Sequence, residues 1–451
     1  MAANGYEAVR ERTVRHFLDK RIDAFLGNSS NNKTRDTVIL LPGIMGSQLK
    51  FLRNPFLDGK EPDFENPKTS WVDNGIWNEA EALRLYIDPG TGRDGFYGEI
   101  PARDYVMYGD GRVHWDIKKG NLGYLAYYDE LEAFLYRKSW NYFSFGFDWR
   151  RSPLEAVVSL KHVVSRLGNA GYKPERIHLV GHSMGGLVAK LFLNNLDGAA
   201  PGSIGQVITV GAPFYGGSPF LETFYYGHKD LVRQLNYQPD QLAAVVHSLY
   251  GAYCLLYLDE ATFKKVGTMI GLSEYPLQTH GSPGQAADPL AASSFGRYPQ
   301  LIPGAARAEF IRLARELKDT VLQDLKPAAM AQFWNIRSGM DAATPTSLWW
   351  KNVDGTKFVP PRNKDEYEKA MMDPVVSTRS TSGAAGDTKK SGDGVVPYWS
   401  AAIAQMLAGN PGHVVDMKQN SNKTHAELLR HAETLAAIEG IIEKGKPLQV
   451  S

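Results

Sequence analysis

The short run Ile177–Val180 passes straight into Gly181-His182-Ser183-Met184-Gly185 and then into the helix-forming Leu187-Val188-Ala189-Lys190. Few local features restrict a fold as tightly. A chain that turns from strand to helix within five residues must strain its backbone at the middle one. Glycines two residues before and two after leave room for strand and helix to approach. The serine hydroxyl then stands clear of the sheet, and the helix N-terminus behind it stabilises developing negative charge. The competing reading is a glycine-rich turn with a solvent-facing serine, and the flanking strand and helix favour the reactive one.

The rest of the chain alternates in the same way. Residues 5–27 have the pattern of an amphipathic helix, and a polar linker follows to residue 36. Thr37–Leu41 (TVILL) is a continuous apolar run, the mark of a strand buried on both faces of a parallel sheet. Further strands are expected at Trp140–Phe145, Arg176–Val180 and Gln206–Val210, with helices at Tyr127–Arg137, Leu154–Leu167 and Gly186–Leu196. That spacing implies right-handed strand–helix–strand units: an α/β protein with a mostly parallel central sheet and helices on both faces.

After Gly217 the alternation stops, and it resumes at Gln332–Ile336 and His413–Met417. Residues 37–217 and 331–451 are therefore expected to form one core, with 218–330 inserted as a mainly helical cap. Residues 50–130 read as an elaborated loop region with two or three short elements. The small, polar stretch 380–394 reads as a mobile surface loop.

Composition removes several classes of function. The formal net charge is +1 with no basic cluster, which argues against a nucleic-acid partner. A single cysteine, Cys254, excludes an intrachain disulfide framework and a cysteine-based zinc cage. The charged N-terminus has no apolar signal core, and Val245–Leu258 is too short to span a bilayer, so the cytoplasm is the expected location.

Three further residue sets test the serine. A second oxyanion amide is needed from a loop after a core strand. The glycines of Leu41-Pro42-Gly43-Ile44-Met45-Gly46 allow it, which makes Ile44 the candidate beside the amide of Met184. The acid should follow the serine in the chain, and Asp393, held between Gly392 and Gly394, meets that order. Asp148 precedes the serine and reads as a structural partner of Arg150 or Arg151.

The base should follow the last strand. Of eleven histidines only His425 and His431 lie beyond it, and His425, the first reached, is the candidate. His431 reads as a surface or packing residue on the same helix. His413 sits at the wrong end of its strand, and His182 reads as local packing.

Five separated motifs, LPGIMGSQL (41–49), FSFGFDWRRSP (143–153), HLVGHSMGGLVAK (178–190), VGAPFYGGSPF (210–220) and GDGVVPYWSA (392–401), together resemble the lecithin:cholesterol acyltransferase-like family of α/β-hydrolases. That family includes lysosomal phospholipase A2-like proteins. The resemblance covers roughly residues 37–220 and 330–430. It implies the α/β-hydrolase fold with a cap and a Ser-Asp-His triad. Ser183 matches the nucleophile, Asp393 the acid, His425 the base, and Ile44 and Met184 the oxyanion positions. Secreted members carry a disulfide-pinned lid, which a chain with one cysteine cannot form. Residues 50–130 and the cap match poorly, so membrane docking is not carried over.

The chemistry expected is acyl transfer through a covalent acyl-enzyme on a carboxylic ester or lipid-like substrate, without metal or organic cofactor. Water as acceptor makes an esterase or lipase, and an alcohol acceptor makes an acyltransferase. A non-catalytic binding protein on the same scaffold is disfavoured because all three triad residue types are present. The cap aromatics Phe220, Phe224, Tyr225, Tyr226, Tyr250, Tyr253 and Tyr257 suit either an apolar acyl group or a plain core.

Overall fold

A computed structural model describes residues 2–53, 64, 68–71, 83–94, 105–110, 128–195, 204–280, 282–338, 344, 347–351, 353, 355, 357–379, 392–417 and 424–448. Thirteen strands fall in these segments. In chain order they are β1 (Thr37–Leu41), β2 (Gln48–Arg53), β3 (Lys68–Trp71), β4 (Tyr105–Asp110), β5 (Asn141–Ser144), β6 (Ile177–His182) and β7 (Val207–Val210). Then follow β8 (Leu277–Thr279), β9 (Ser282–Ala286), β10 (Phe333–Arg337), β11 (Ser347–Trp350), β12 (Val376–Arg379) and β13 (Val414–Asp416).

The central sheet has six strands in the order β13-β10-β7-β6-β1-β5, and every pairing in it is parallel. Every residue of TVILL is buried, and alternate side chains enter opposite layers. Ile39 and Leu41 join the layer under helices Ala2–Gly27, Pro153–Asn169 and Met184–Asn194. Val38 and Leu40 join the layer under Asp129–Arg137 and Ala432–Lys444. Each such fully buried aliphatic side chain contributes about 1.5–3 kcal/mol, which is why a parallel strand reads as an uninterrupted apolar run.

Strand order reverses beside β1. The chain leaves β1 for the edge strand β5, then returns to β6 on the other flank of β1. Leu41 at the end of β1 pairs with Gly181 near the end of β6, so the turn after β1 emerges beside the turn after β6. Such a switch point opens a crevice at the carboxyl ends of the strands, where α/β proteins bind ligands.

Two smaller sheets stand beside the central one. β3-β2-β4 form an antiparallel sheet drawn from residues 48–53, 68–71 and 105–110. The second, β12-β11-β8-β9, pairs Leu277–Thr279 with Ser347–Trp350. Strand β8, after Gly217, thus shares a sheet with β11 and β12, beyond residue 331. These strands are three to five residues long, too short for periodicity to reveal. The expected mobile loop at 380–394 falls outside the described residues up to 391.

Buried charge ties the front of the chain to this core. The Arg150 guanidinium donates to Asp148 and Asp94, both at 2.7 Å, and Tyr6 donates to Asp94 at 2.6 Å. Asp148 is thus the structural partner of Arg150, as its position before the serine implies.

Candidate active site

Ser183 occupies the turn between β6 and the helix Met184–Asn194 with φ 52° and ψ −124°. A non-glycine residue in this region stores about 1–3 kcal/mol of strain, which the surrounding packing must hold in place. The glycines around it are required by space. A Cβ on Gly181 would lie 2.6 Å from the Gly185 carbonyl oxygen, and one on Gly185 would lie 2.0 Å from that of Leu41. Strand β6, the helix and β1 thus meet through bare backbone. Ser183 itself is 3% exposed.

The loop after β1 closes on the same spot. The Gly46 amide donates to the Gly43 carbonyl at 3.0 Å, making a turn with Ile44 and Met45 at its corner. Met45 has φ 61°. A Cβ on Gly43 would stand 2.9 Å from that of Ser183, so this turn lies directly against the turn that carries Ser183. Met184 is the first residue of its helix, where backbone amides have no intrahelical acceptor.

Asp393 and His425 come from two distant loops. The His425 ring Nδ1 lies 2.7 Å from Asp393 Oδ2, and the His425 backbone amide donates to the Asp393 carbonyl at 2.7 Å. The other carboxylate oxygen, Oδ1, accepts the amides of Val395 and Val396 at 3.1 and 2.7 Å. The tight loop that brings these amides round depends on Gly392 and Gly394, with φ 152° and 94°. His425 opens a short 3-10 turn, His425–Arg430, capped by reciprocal bonds between Thr424 and Glu427. Both members of the pair are largely buried, Asp393 at 1% and His425 at 9% exposure.

The five residues singled out from the sequence therefore lie at the carboxyl ends of the central strands, on turns, loops and the first residues of short helical segments. Among the described residues no hydrogen bond joins the Ser183 hydroxyl to the His425 ring. Such bonds are often long before substrate binds and tighten in the reacting complex. His431 sits at the break between the 3-10 turn and the helix Ala432–Lys444, rather than far along one continuous helix. His413 stacks on Trp334 with ring centroids 3.6 Å apart, a packing role.

Other residues of the site carry no sequence signal, or one that is easy to overlook. Gly211, just past β7, has φ 58°, and a Cβ there would lie 2.9 Å from Asp393 Oδ2 and 3.3 Å from His425 Nδ1. Its place directly after a buried strand, inside the motif VGAPFYGGSPF, is the hint the sequence offers. His182 does more than pack. Its Nε2 lies 2.9 Å from the His425 carbonyl oxygen, and its Nδ1 lies 3.0 Å from the Tyr128 hydroxyl. Burial first, and His425 second, push the His182 pKa down to about 3, so the ring is neutral.

The cap aromatics are for the most part core. Phe224, Tyr225, Tyr226, Tyr253 and Tyr257 are buried and pack on one another or on Tyr298, Trp350, Phe358 and Trp399. The Tyr225 hydroxyl is taken up by the Arg297 carbonyl and the Trp350 ring N–H. Phe220 and Tyr250 remain half-buried. A cavity of ≈ 410 Å³ between helices Pro153–Asn169 and Gly304–Leu322 is lined by Leu154, Tyr250, Phe310 and Leu317, and by none of the five candidate residues. Among the described residues no cluster of His, Cys, Asp and Glu could hold a metal, and no helix is long and apolar enough to cross a membrane.

Comparison with known proteins agrees with this architecture. A chain in the crystal structure of the Tle4-Tli4 complex superposes with a TM-score of 0.54 at 15% identity, covering 91% of this chain and 99% of that one. At that identity the likeness establishes the fold, an α/β-hydrolase-type sheet. No curated protein matches. The family model for lecithin:cholesterol acyltransferase matches residues 115–249, which include Ser183 and its elbow. That match supports an enzyme of ester hydrolysis or acyl transfer on lipid. Over residues 115–249 the chain is thus similar to the lecithin:cholesterol acyltransferase family, and its fold is of the α/β-hydrolase type.

Proposed function

We propose that the protein is a serine hydrolase of carboxylic esters, acting through an acyl-enzyme. The observation that carries this reading is the 2.7 Å bond between His425 Nδ1 and Asp393 Oδ2, at the sheet edge where Ser183 stands strained. Asp393 holds the imidazole with Nδ1 protonated and leaves Nε2 free as a base. His425 takes the Ser183 proton as the hydroxyl attacks the ester carbonyl. The amides of Ile44 and Met184 then receive the oxyanion, and losing one such donor typically costs about 10²–10³ in rate. The same imidazolium protonates the leaving alcohol, and the neutral ring activates water to release the acid.

Acyl transfer to an alcohol is the second reading, supported by the family whose model matches residues 115–249. The two share every step up to the acyl-enzyme and differ in what attacks it. A fluorophosphonate probe tests the common part: native protein is expected to label and Ser183→Ala is not. Absence of labelling, or equal labelling of Ser183→Ala, refutes the reading. Measuring free acid against new ester while titrating alcohol acceptors then separates hydrolase from transferase.

A further inference from the structure

A buried chain of hydrogen bonds runs from the turn after β1 to the candidate base. The Gly43 amide donates to the Tyr128 hydroxyl at 3.0 Å, and that hydroxyl meets His182 Nδ1 at 3.0 Å. His182 Nε2 meets the His425 carbonyl oxygen at 2.9 Å. The directions are forced. A carbonyl oxygen can only accept, so Nε2 carries the proton and Nδ1 accepts from the Tyr128 hydroxyl. That hydroxyl in turn accepts from Gly43. Tyr128 is 2% exposed and His182 4%, so water does not compete for these bonds.

The position of the chain matters more than its length. The Tyr128 hydroxyl sits inside the turn, where a Cβ on Gly46 would lie 3.0 Å from it. It occupies the Gly43 amide, directly beside the Ile44 amide that the proposed mechanism assigns to the oxyanion. Met45, with φ 61°, shows that the turn holds a conformation it would not keep unaided. At the other end, His182 lies ring against ring on His425, with centroids 4.8 Å apart at 34°, and grips its backbone. Four residues that are far apart in sequence thus connect the oxyanion turn, the nucleophile elbow and the base.

Resting on the serine-hydrolase reading above, we infer that Tyr128 and His182 are positioning residues: they hold the oxyanion turn and the His425 main chain in register across Ser183. Neither makes or breaks a bond in the proposed reaction. Their effect is confined to how well Ile44 and His425 are aimed, a property felt in the transition state more than in substrate binding. Burial keeps His182 neutral, so it can accept from Tyr128 throughout the neutral range.

The test compares Tyr128→Phe, His182→Gln and their double variant with Val163→Ala, a core truncation on the opposite face of the sheet. The substrate is p-nitrophenyl butyrate, and fluorophosphonate labelling rates are read in parallel. Each single variant is expected to lose about tenfold in kcat with KM changed by less than about twofold, and to label more slowly by the same factor. The double variant should fall little below the worse single one, because either change opens the same chain. Val163→Ala should melt earlier yet keep its kcat.

The inference is overturned if both single variants keep kcat within twofold of the native enzyme. It is equally overturned if their losses multiply, or if Val163→Ala loses kcat in the same proportion. Native protein inert to both probes, or a Ser183→Ala variant as active as native, overturns the hydrolase reading and this inference with it. Serine-dependent activity that ignores Tyr128 and His182 removes this inference alone.

Discussion

Replacing Gly211 with alanine tests the candidate site without touching any residue given a chemical role. Gly211 has φ 58°, and the added methyl would lie 2.7 Å from Leu428 Cδ1, 2.9 Å from Asp393 Oδ2 and 3.3 Å from His425 Nδ1. It would press directly on the bond between acid and base. A left-handed backbone costs a non-glycine residue about 1 kcal/mol, and crowding a packed site adds about 1–3 kcal/mol. The expected stability loss is therefore about 2–4 kcal/mol.

Gly445 supplies the control. Its φ is 62°, almost the same, but a Cβ there meets nothing within 4 Å. Gly445→Ala should show the backbone cost alone, about 1 kcal/mol, with unchanged catalysis. In Gly211→Ala the ring of His425 must move, and displacement by about 1 Å can cost about 10²-fold in rate. Urea denaturation and kcat/KM on p-nitrophenyl butyrate measure both quantities. If Gly211→Ala keeps kcat/KM within threefold, or is no less stable than Gly445→Ala, the placement of Asp393 and His425 described above is wrong.

Two other perturbations follow from the same structure. Asp393→Asn keeps the shape of the loop but replaces the acceptor of the His425 Nδ1–H; kcat is expected to fall about 10³–10⁴-fold with KM nearly unchanged, read by steady-state kinetics. Lys190, on the helix that follows Ser183, donates to the Gln323 carbonyl and Asn194 Oδ1, both at 2.7 Å, and burial pushes its pKa down to about 7, with Asp324 opposing. Its folded pKa lies below the unfolded one, so between pH 7 and 10.5 the unfolded chain binds the extra proton and stability rises with pH. Chemical denaturation across that window should show the rise, on the order of a few kcal/mol, and Lys190→Met should flatten it.

The strands that matter most were legible because their signal is local. TVILL is buried at every position and apolar at four of its five because both faces of β1 are covered, and β7 and β10 are likewise buried throughout. The elbow was legible for a related reason. Glycines flank Ser183 because strand and helix meet backbone to backbone, and that demand falls within five consecutive residues. Chain order then narrowed the candidate acid and base to Asp393 and His425, whose side chains lie 2.7 Å apart.

Elsewhere the decisive contacts join residues that no local pattern relates. The sheet uniting Leu277–Thr279 with Ser347–Trp350 depends on a pairing across some seventy residues, through strands of three and four. Aromatic composition could not say whether the cap residues face a substrate or one another; packing decides it, burying Tyr225, Tyr226 and Tyr253 among other rings. Nor could a histidine beside a serine disclose that its two nitrogens reach Tyr128 and the His425 carbonyl. Periodicity reports which face of an element is buried and turn chemistry reports where the chain bends. What meets across that buried face is set only when all the elements pack together, and there the tertiary structure alone decided.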